Sequence, residues 1–168
     1  CKGLGFKLKI DEDLIIPNKS LSLSKGAIVP LNNMDEVNIY KKMLEIVCNE
    51  YKIDMNKPVS SLKRKDLDIV LYGSNEEIEF DFNTRSGNRM HKVERYEGIS
   101  NTFERRYMET NSTFIRDWLE RYMNELTCEC CGGTRLKDEI LNVKIKNKNI
   151  YELCDFSIRE LVQFFSNL

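Results

Sequence analysis

Three thiols fall within four residues at Cys128-Glu129-Cys130-Cys131, and Gly132 and Gly133 follow at once. Cys128 and Cys131 have the C-x-x-C spacing at which one tight turn aims two sulfurs at a single metal ion. Glycines suit that turn, because a chain wrapping thiolates round a metal needs positive φ and close backbone approach. A knuckle of this kind supplies two ligands, and structural zinc takes four. Cys1 is the candidate third ligand. It precedes Gly3 and Gly5 much as Cys131 precedes Gly132 and Gly133. A closed site would bring the two turns together and pinch the residues between them into an inserted domain. The fourth ligand would then lie three residues before Cys1, and Cys130 could replace it only in a distorted arrangement. The alternative is two unrelated cysteine turns with no metal.

A disulfide framework fits the six cysteines poorly. The chain is long and strongly charged, and positions 128, 130 and 131 are too crowded for three separate bridges. Cys48, in an apolar helical stretch, and Cys154, beside Leu153, read as small core residues.

A second chemical signal is a basic stretch. Between positions 85 and 106, six cations (Arg85, Arg89, Lys92, Arg95, Arg105 and Arg106) stand against three carboxylates, Glu94, Glu97 and Glu104. Tyr96, Phe103 and Tyr107 are interleaved with them. Arginine with aromatics on a hairpin and a following helix suits phosphate contact and stacking. The same residues also fit a salt-bridged surface. Catalytic motifs are missing: no phosphate loop, no dinucleotide fingerprint and no H-E-x-x-H. His91 is the single histidine, and on an alternating strand it reads as a surface residue.

With 26 basic and 27 acidic residues in 168, the net charge of −1 gives no global sign of nucleic-acid binding. The composition is that of a soluble globular chain with one or two small domains. No apolar run approaches the roughly 20 residues of a membrane span, and the start lacks a signal peptide. Beginning at a cysteine, the chain reads as a piece of something longer.

These residues need elements to hold them. The first 31 residues read as irregular or extended. Val37, Tyr40, Met43, Leu44, Val47 and Tyr51 share one face of a helix over 35–51, with Asp35 as its cap. A short helix over 62–71 stops at Gly73. Glu77–Phe82 alternates as a half-buried strand with Ile78, Phe80 and Phe82 inward, and Met90–Tyr96 runs back as its partner. Helices follow over 101–110, capped by Ser100 or Asn101, and over 112–125. Leu141–Lys146 reads as a strand turned by Asn147–Asn149, with Ile150 and Tyr151 pairing back. A last helix, 158–165, is capped by Asp155 or Ser157 and has an apolar side of Ile158, Leu161, Val162 and Phe165. The fold class is α+β: a small helix-rich domain with a β-hairpin, plus a zinc knuckle and a β-hairpin/helix segment.

The order of these motifs resembles the UvrA family, a component of the bacterial excinuclease ABC. Cys128-Glu-Cys-Cys-Gly-Gly-Thr-Arg-Leu136 is similar to its C-P-x-C-G-G-x-R-L, and Lys148-Asn-Ile-Tyr-Glu-Leu153 and Ser157-Ile-Arg-Glu160 to its K-N-I-x-E-L and S-I-x-E. Cys1-Lys-Gly-Leu-Gly5 resembles the end of C-P-x-C-x-G-L-G. Leu21-Ser-Leu23 with Gly26-Ala-Ile28 resembles S-L-x-x-G-A-I. Leu71-Tyr-Gly-Ser74 and Arg105-Arg-Tyr-Met-Glu-Thr110 match L-Y-G-S/T and R-R-Y-x-E-T. The likeness is collinear over nearly the whole chain.

The resemblance implies a cytoplasmic bacterial DNA-damage sensor of nucleotide excision repair, an ABC-type ATPase that dimerises and loads UvrB. It implies residues 1–7 as the first half of a zinc module, 8–124 as an insertion domain near double-stranded damaged DNA, and 125–168 as the zinc knuckle and start of a signature domain. It supports Cys1, Cys128 and Cys131 as ligands of Zn2+, with the upstream cysteine of the first pair outside the chain. ATP and Mg2+ belong to the full-length parent, since the Walker and signature motifs lie elsewhere and this piece does not hydrolyse ATP. The expected phosphate contacts are Arg105 and Arg106, then Arg95, Lys92, Arg89 and Arg85. The competing expectation is a protein-interaction arm for UvrB or the second protomer, without DNA contact. Two departures stand out: Glu129 replaces the family's proline, and Cys130 adds a spare thiol.

Overall fold

A computed structural model describes residues 1–32, 39–83 and 87–168. The expected cap Asp35, Val37, and the expected phosphate contact Arg85 lie outside the described residues. In chain order the elements are β1 (Phe6–Ile10), α1 (Glu12–Ile15), α2 (Val29–Asn32), α3 (Ile39–Glu50), α4 (Arg64–Tyr72), β2 (Glu77–Asn83) and β3 (Arg89–Arg95). Then come α5 (Ile99–Glu109), α6 (Thr113–Glu120), β4 (Met123–Thr127), α7 (Asp138–Leu141), β5 (Lys144–Ile145), β6 (Lys148–Asn149), α8 (Ile150–Cys154) and α9 (Ile158–Ser166). The fold is α+β, as expected, with small two-stranded sheets among helices.

Two compact units divide the chain: Lys9–Asn124, and Cys1–Leu8 with Glu125–Leu168. Strands β1 and β4 pair, and the division falls within both of them.

In the unit 9–124, amphipathic helices bury one stripe each. Leu44 and Cys48 of α3, Leu67, Val70 and Leu71 of α4, Ile99 and Phe103 of α5, and Leu119 of α6 form one apolar cluster with Ile15, Ile16 and Ile28. Phe103 is its centre, fully buried, with Tyr40 and Trp118 meeting it edge-on at 6.1 and 6.0 Å between ring centroids. Cys48 is a small core residue here, and burial pushes its thiol up to about 12.

The hairpin β2–β3 is antiparallel, with Ile78 opposite Glu94 and Phe80 opposite Lys92. Its inward side, Ile78 and Phe80 with Phe82 beside them, packs with Val47 and Tyr96 in a second cluster. Tyr96 is buried and its hydroxyl donates to the Val70 carbonyl at 3.2 Å. The hairpin is fastened where two glycines cross. Gly73 ends α4 at φ 95° and Gly98 begins α5 at φ 87°. A Cβ on Gly98 would lie 2.4 Å from the Gly73 nitrogen and 2.5 Å from the Leu71 carbonyl oxygen.

In the unit built from 1–8 and 125–168, β5 and β6 pair through Lys146 and Asn147, at φ 45° and 66°. Two consecutive positive-φ residues make the turn whose twist matches paired strands. Asn149 then caps α8 in a reciprocal box with Glu152, and Ser157 does the same for α9 with Glu160.

Several expectations are corrected. The N-terminal stretch, read as irregular or extended, also holds the short helices α1 and α2; its extended part is β1, where half-buried Phe6, Leu8 and Ile10 alternate with exposed Lys7 and Lys9 at period two. The helix read over 112–125 stops at Glu120, because Met123–Thr127 is drawn into pairing with β1. The strand read over 141–146 shrinks to Lys144–Ile145, and Ile150 and Tyr151 start a helix. Gly98 caps α5; Ser100 lies buried within it, and the Asn101 amide donates to the Tyr72 carbonyl at 2.9 Å. Cys154 is exposed, not core.

Candidate functional site

The two cysteine turns form one structure within their unit. The N–H of Cys128 donates to the Gly5 carbonyl at 2.9 Å. The knuckle then closes on itself: the N–H groups of Cys131 and Gly132 donate to the Cys128 carbonyl at 3.3 and 2.7 Å. Thr134 completes it, its backbone N–H and hydroxyl both donating to the Cys131 carbonyl at 2.9 and 2.7 Å. Gly5 presses so close that a Cβ there would lie 2.8 Å from the Gly133 carbonyl oxygen. Of the two glycine pairs noted in the sequence, Gly5 and Gly133 are where the turns touch.

This packing gathers the thiols of Cys1, Cys128 and Cys131. Their sulfurs all lie within 4.8 Å of one another, and those of Cys1 and Cys131 are 3.8 Å apart. Sulfurs bound tetrahedrally to zinc at about 2.3 Å stand about 3.8 Å apart, so the spacing fits a zinc-thiolate cluster. Among the described residues this is the one group of three or more metal-ligating side chains. Cys128 is fully buried, and the hydrogen bond from the Cys131 backbone, with a second from Cys130, holds its thiol down at about 7. Cys130 is exposed and stands outside the cluster. Three soft donors match zinc chemistry and leave one position for a further ligand.

The basic stretch lies in the other unit, and its cations are mostly taken. On β3, the Arg89 guanidinium meets Asp81 side-on, its Nε donating to Oδ1 at 2.8 Å, and this holds the Asp81 carboxyl below its usual range. Lys92 pairs with Glu94. On α5, Arg105 is forked onto Glu97, with Nε 3.0 Å from Oε1 and Nη2 3.0 Å from Oε2, and its Nη1 reaches Glu109 at 2.9 Å. Arg106 lies over the Tyr40 ring at 5.9 Å. Arg95 is exposed and makes no ion pair among the described residues. His91 pairs with Glu79 on the exposed hairpin face at 2.8 Å. Glu104 accepts the Ile10 N–H at 3.1 Å.

Residues 11–121, which include every described cation of this set, match the family model described as the UvrA DNA-binding domain. The chain belongs to this family. Its whole length is 43% identical to UvrABC system protein A of Listeria monocytogenes serotype 4b and 41% identical to that of Bacillus subtilis. In each case it spans 18% of the relative's length. The crystal structure of UvrA2 from Deinococcus radiodurans has the same fold, with a TM-score of 0.71 over 97% of this chain and 21% of that one, at 18% identity.

The sequence carries further signals for parts of this arrangement. Phe6-Lys-Leu-Lys-Ile10 alternates openly. Asn149-x-x-Glu152 is a capping box. Asp81 precedes Arg89 and Glu97 precedes Arg105 by eight residues, a spacing that no helix or strand rule marks, whereas Glu109 follows Arg105 at the helical i,i+4 spacing.

Proposed function

We propose that residues 9–124 form a DNA-contacting insertion domain of a UvrA-type component of nucleotide excision repair, and that the cysteine turns flanking it in sequence form a structural zinc module. The observation that carries this is the match of residues 11–121 to the UvrA DNA-binding domain. The duplex would be held by its phosphates, through Arg105 and Arg106 and then Arg95, Lys92, Arg89 and Arg85. Solvent screens exposed ion pairs of the kind made by Arg89, Lys92 and Arg105, so exchanging a carboxylate for a phosphate costs little. Zinc on Cys1, Cys128, Cys131 and one further ligand would fix the ends of the inserted segment. Its contribution would be folding free energy and not catalysis. The domain's part would be binding, and ATP hydrolysis with Mg2+ would belong to the rest of a UvrA-type chain.

The test is duplex affinity of the full-length protein against salt, with Arg105 and Arg106 changed to Ala. Loss of two phosphate contacts lowers the slope of log K against log salt by about 0.9 each. Affinity and slope both unchanged would remove these residues from the interface.

A second reading, a protein-interaction arm for UvrB or another protomer, draws on exposed Val93, Met108 and Phe114, the last 78% exposed. A salt-insensitive complex with UvrB that survives removal of the cations would favour it.

A further inference from the structure

The guanidinium of Arg105 is already engaged by the kind of group that phosphate would replace. Its Nε and Nη2 both donate to Glu97, and Nη1 donates to Glu109. Glu97 is itself held in place by the Thr102 hydroxyl at 3.2 Å. The arrangement repeats on the hairpin, where Asp81 takes the Nε and Nη2 edge of Arg89 and Glu94 takes Lys92. Carboxylate and phosphate oxygens accept the same two parallel N–H bonds from a guanidinium. A cation occupied in this way cannot also hold a phosphate until the carboxylate leaves.

We propose that Glu97, Glu109 and Asp81 are an intramolecular competitor for the DNA backbone, holding Arg105 and Arg89 closed in the free protein and released when a duplex is seated. The inference rests on the DNA-contacting reading above. Its consequence is a domain that grips passing duplex weakly. Arg95, which pairs with no carboxylate among the described residues, makes the first contact. The covered arginines join only where the duplex lies close enough for its phosphates to displace carboxylates in exposed, exchangeable pairs. Each arginine that opens adds a released counterion, so the closely seated complex depends more steeply on salt than the first encounter.

The experiment measures binding of a labelled, undamaged duplex to the full-length protein across a salt series. The variants are Glu97→Gln with Glu109→Gln, Glu109→Gln alone, Asp81→Asn, and Glu50→Gln as a control. Glu50 ends α3, is exposed and forms no ion pair among the described residues. If the carboxylates compete, the double variant tightens binding by roughly three- to tenfold at low salt, and Asp81→Asn by roughly two- to fivefold. The control then changes it by less than about twofold, the effect of one fewer exposed negative charge. Tightening no greater than that of Glu50→Gln, or weaker binding, overturns the inference. Glu109→Gln alone carries the test if the double variant melts earlier, since Glu109 is exposed and its ion-pair partner is Arg105. Failure here is separable from failure of the reading beneath it. If Arg105→Ala weakens binding while the Gln variants match the control, DNA contact stands and the competitor alone falls. If the unaltered protein does not bind duplex, both fall.

Discussion

Changing Gly98 to Ala tests whether the glycine crossing fastens the hairpin to the helices. Gly98 has φ 87°, and an added Cβ would sit 2.4 Å from the Gly73 nitrogen and 2.5 Å from both the Leu71 carbonyl oxygen and the Tyr72 carbonyl carbon. All three atoms are backbone, so no side chain can swing away. Left-handed backbone costs a non-glycine residue about 1–2 kcal/mol. Overpacking adds about 1–3 kcal/mol, for a total of about 2–5 kcal/mol. Gly87 is the matched control, with φ 81° and nothing among the described residues within 4 Å of its Cβ position. Gly87→Ala meets the backbone cost alone, partly offset by about 0.4–1 kcal/mol from a less flexible unfolded chain. Urea unfolding followed by Trp118 fluorescence reads both, because Trp118 is the single tryptophan and touches Phe103 in the core. With a slope of about 2 kcal/mol per molar urea, Gly98→Ala lowers the midpoint by about 1–2.5 M and Gly87→Ala by about 0.8 M or less. Equal shifts in the two variants would refute the claim that close approach, beyond φ itself, requires glycine at 98.

Four further outcomes follow from the same physical picture. Phe103→Ala removes a fully buried ring from between Tyr40 and Trp118 and destabilises the domain by about 3–5 kcal/mol, read by the same urea titration. Cys128→Ser lowers zinc retained after dialysis by tenfold or more, roughly the loss of one thiolate ligand, whereas Cys130→Ser leaves it unchanged; metal analysis of the purified variants decides. Zinc affinity falls as pH drops from 8 to 6. The Cys128 thiol is depressed to about 7, so its thiolate persists above that pH and is lost on going below it; a competition titration with a chromophoric chelator follows the change. In a thiol-labelling time course on the folded protein, exposed Cys130 and Cys154 react first. Cys48, buried and with its thiol raised to about 12, reacts only on unfolding.

Much of this was legible in residue patterns where local order and tertiary order agree. The alternation of Glu77–Phe82 gave the hairpin and its buried side, and the apolar stripe of α3 gave its core face. Gly73 as a helix stop needed only the positive φ, 95°, that ends α4. Boundaries failed where distant partners decide. Trp118, Leu119, Tyr122 and Met123 keep helical spacing, yet the chain leaves the helix at Glu120 because β1 offers a strand partner more than a hundred residues earlier in the chain. The turn in β5–β6 fell at Lys146 and Asn147, one position before the reading from Asn147–Asn149, and that shift moved Ile150 and Tyr151 out of pairing and into α8. For the candidate sites, the likeness of Cys1-x-Gly-x-Gly to Cys131-Gly-Gly made the thiol cluster readable, since both turns are shaped by the same need for positive φ. The electrostatics of the basic stretch were not readable. Counting charges between 85 and 106 leaves out Asp81 and Glu109, which lie just outside that window and occupy two of its arginines.

The most direct test of the account is where a duplex touches the folded chain. Amide chemical shifts of the isotopically labelled protein, titrated with duplex DNA at low salt and again at high salt, report this residue by residue. If the duplex sits on the basic stretch, shifts concentrate on Arg89–Arg95 of β3 and around Arg105 and Arg106 of α5, and disappear as salt rises. Shifts confined to other surfaces, or no shifts at duplex concentrations that saturate the full-length protein, would contradict it.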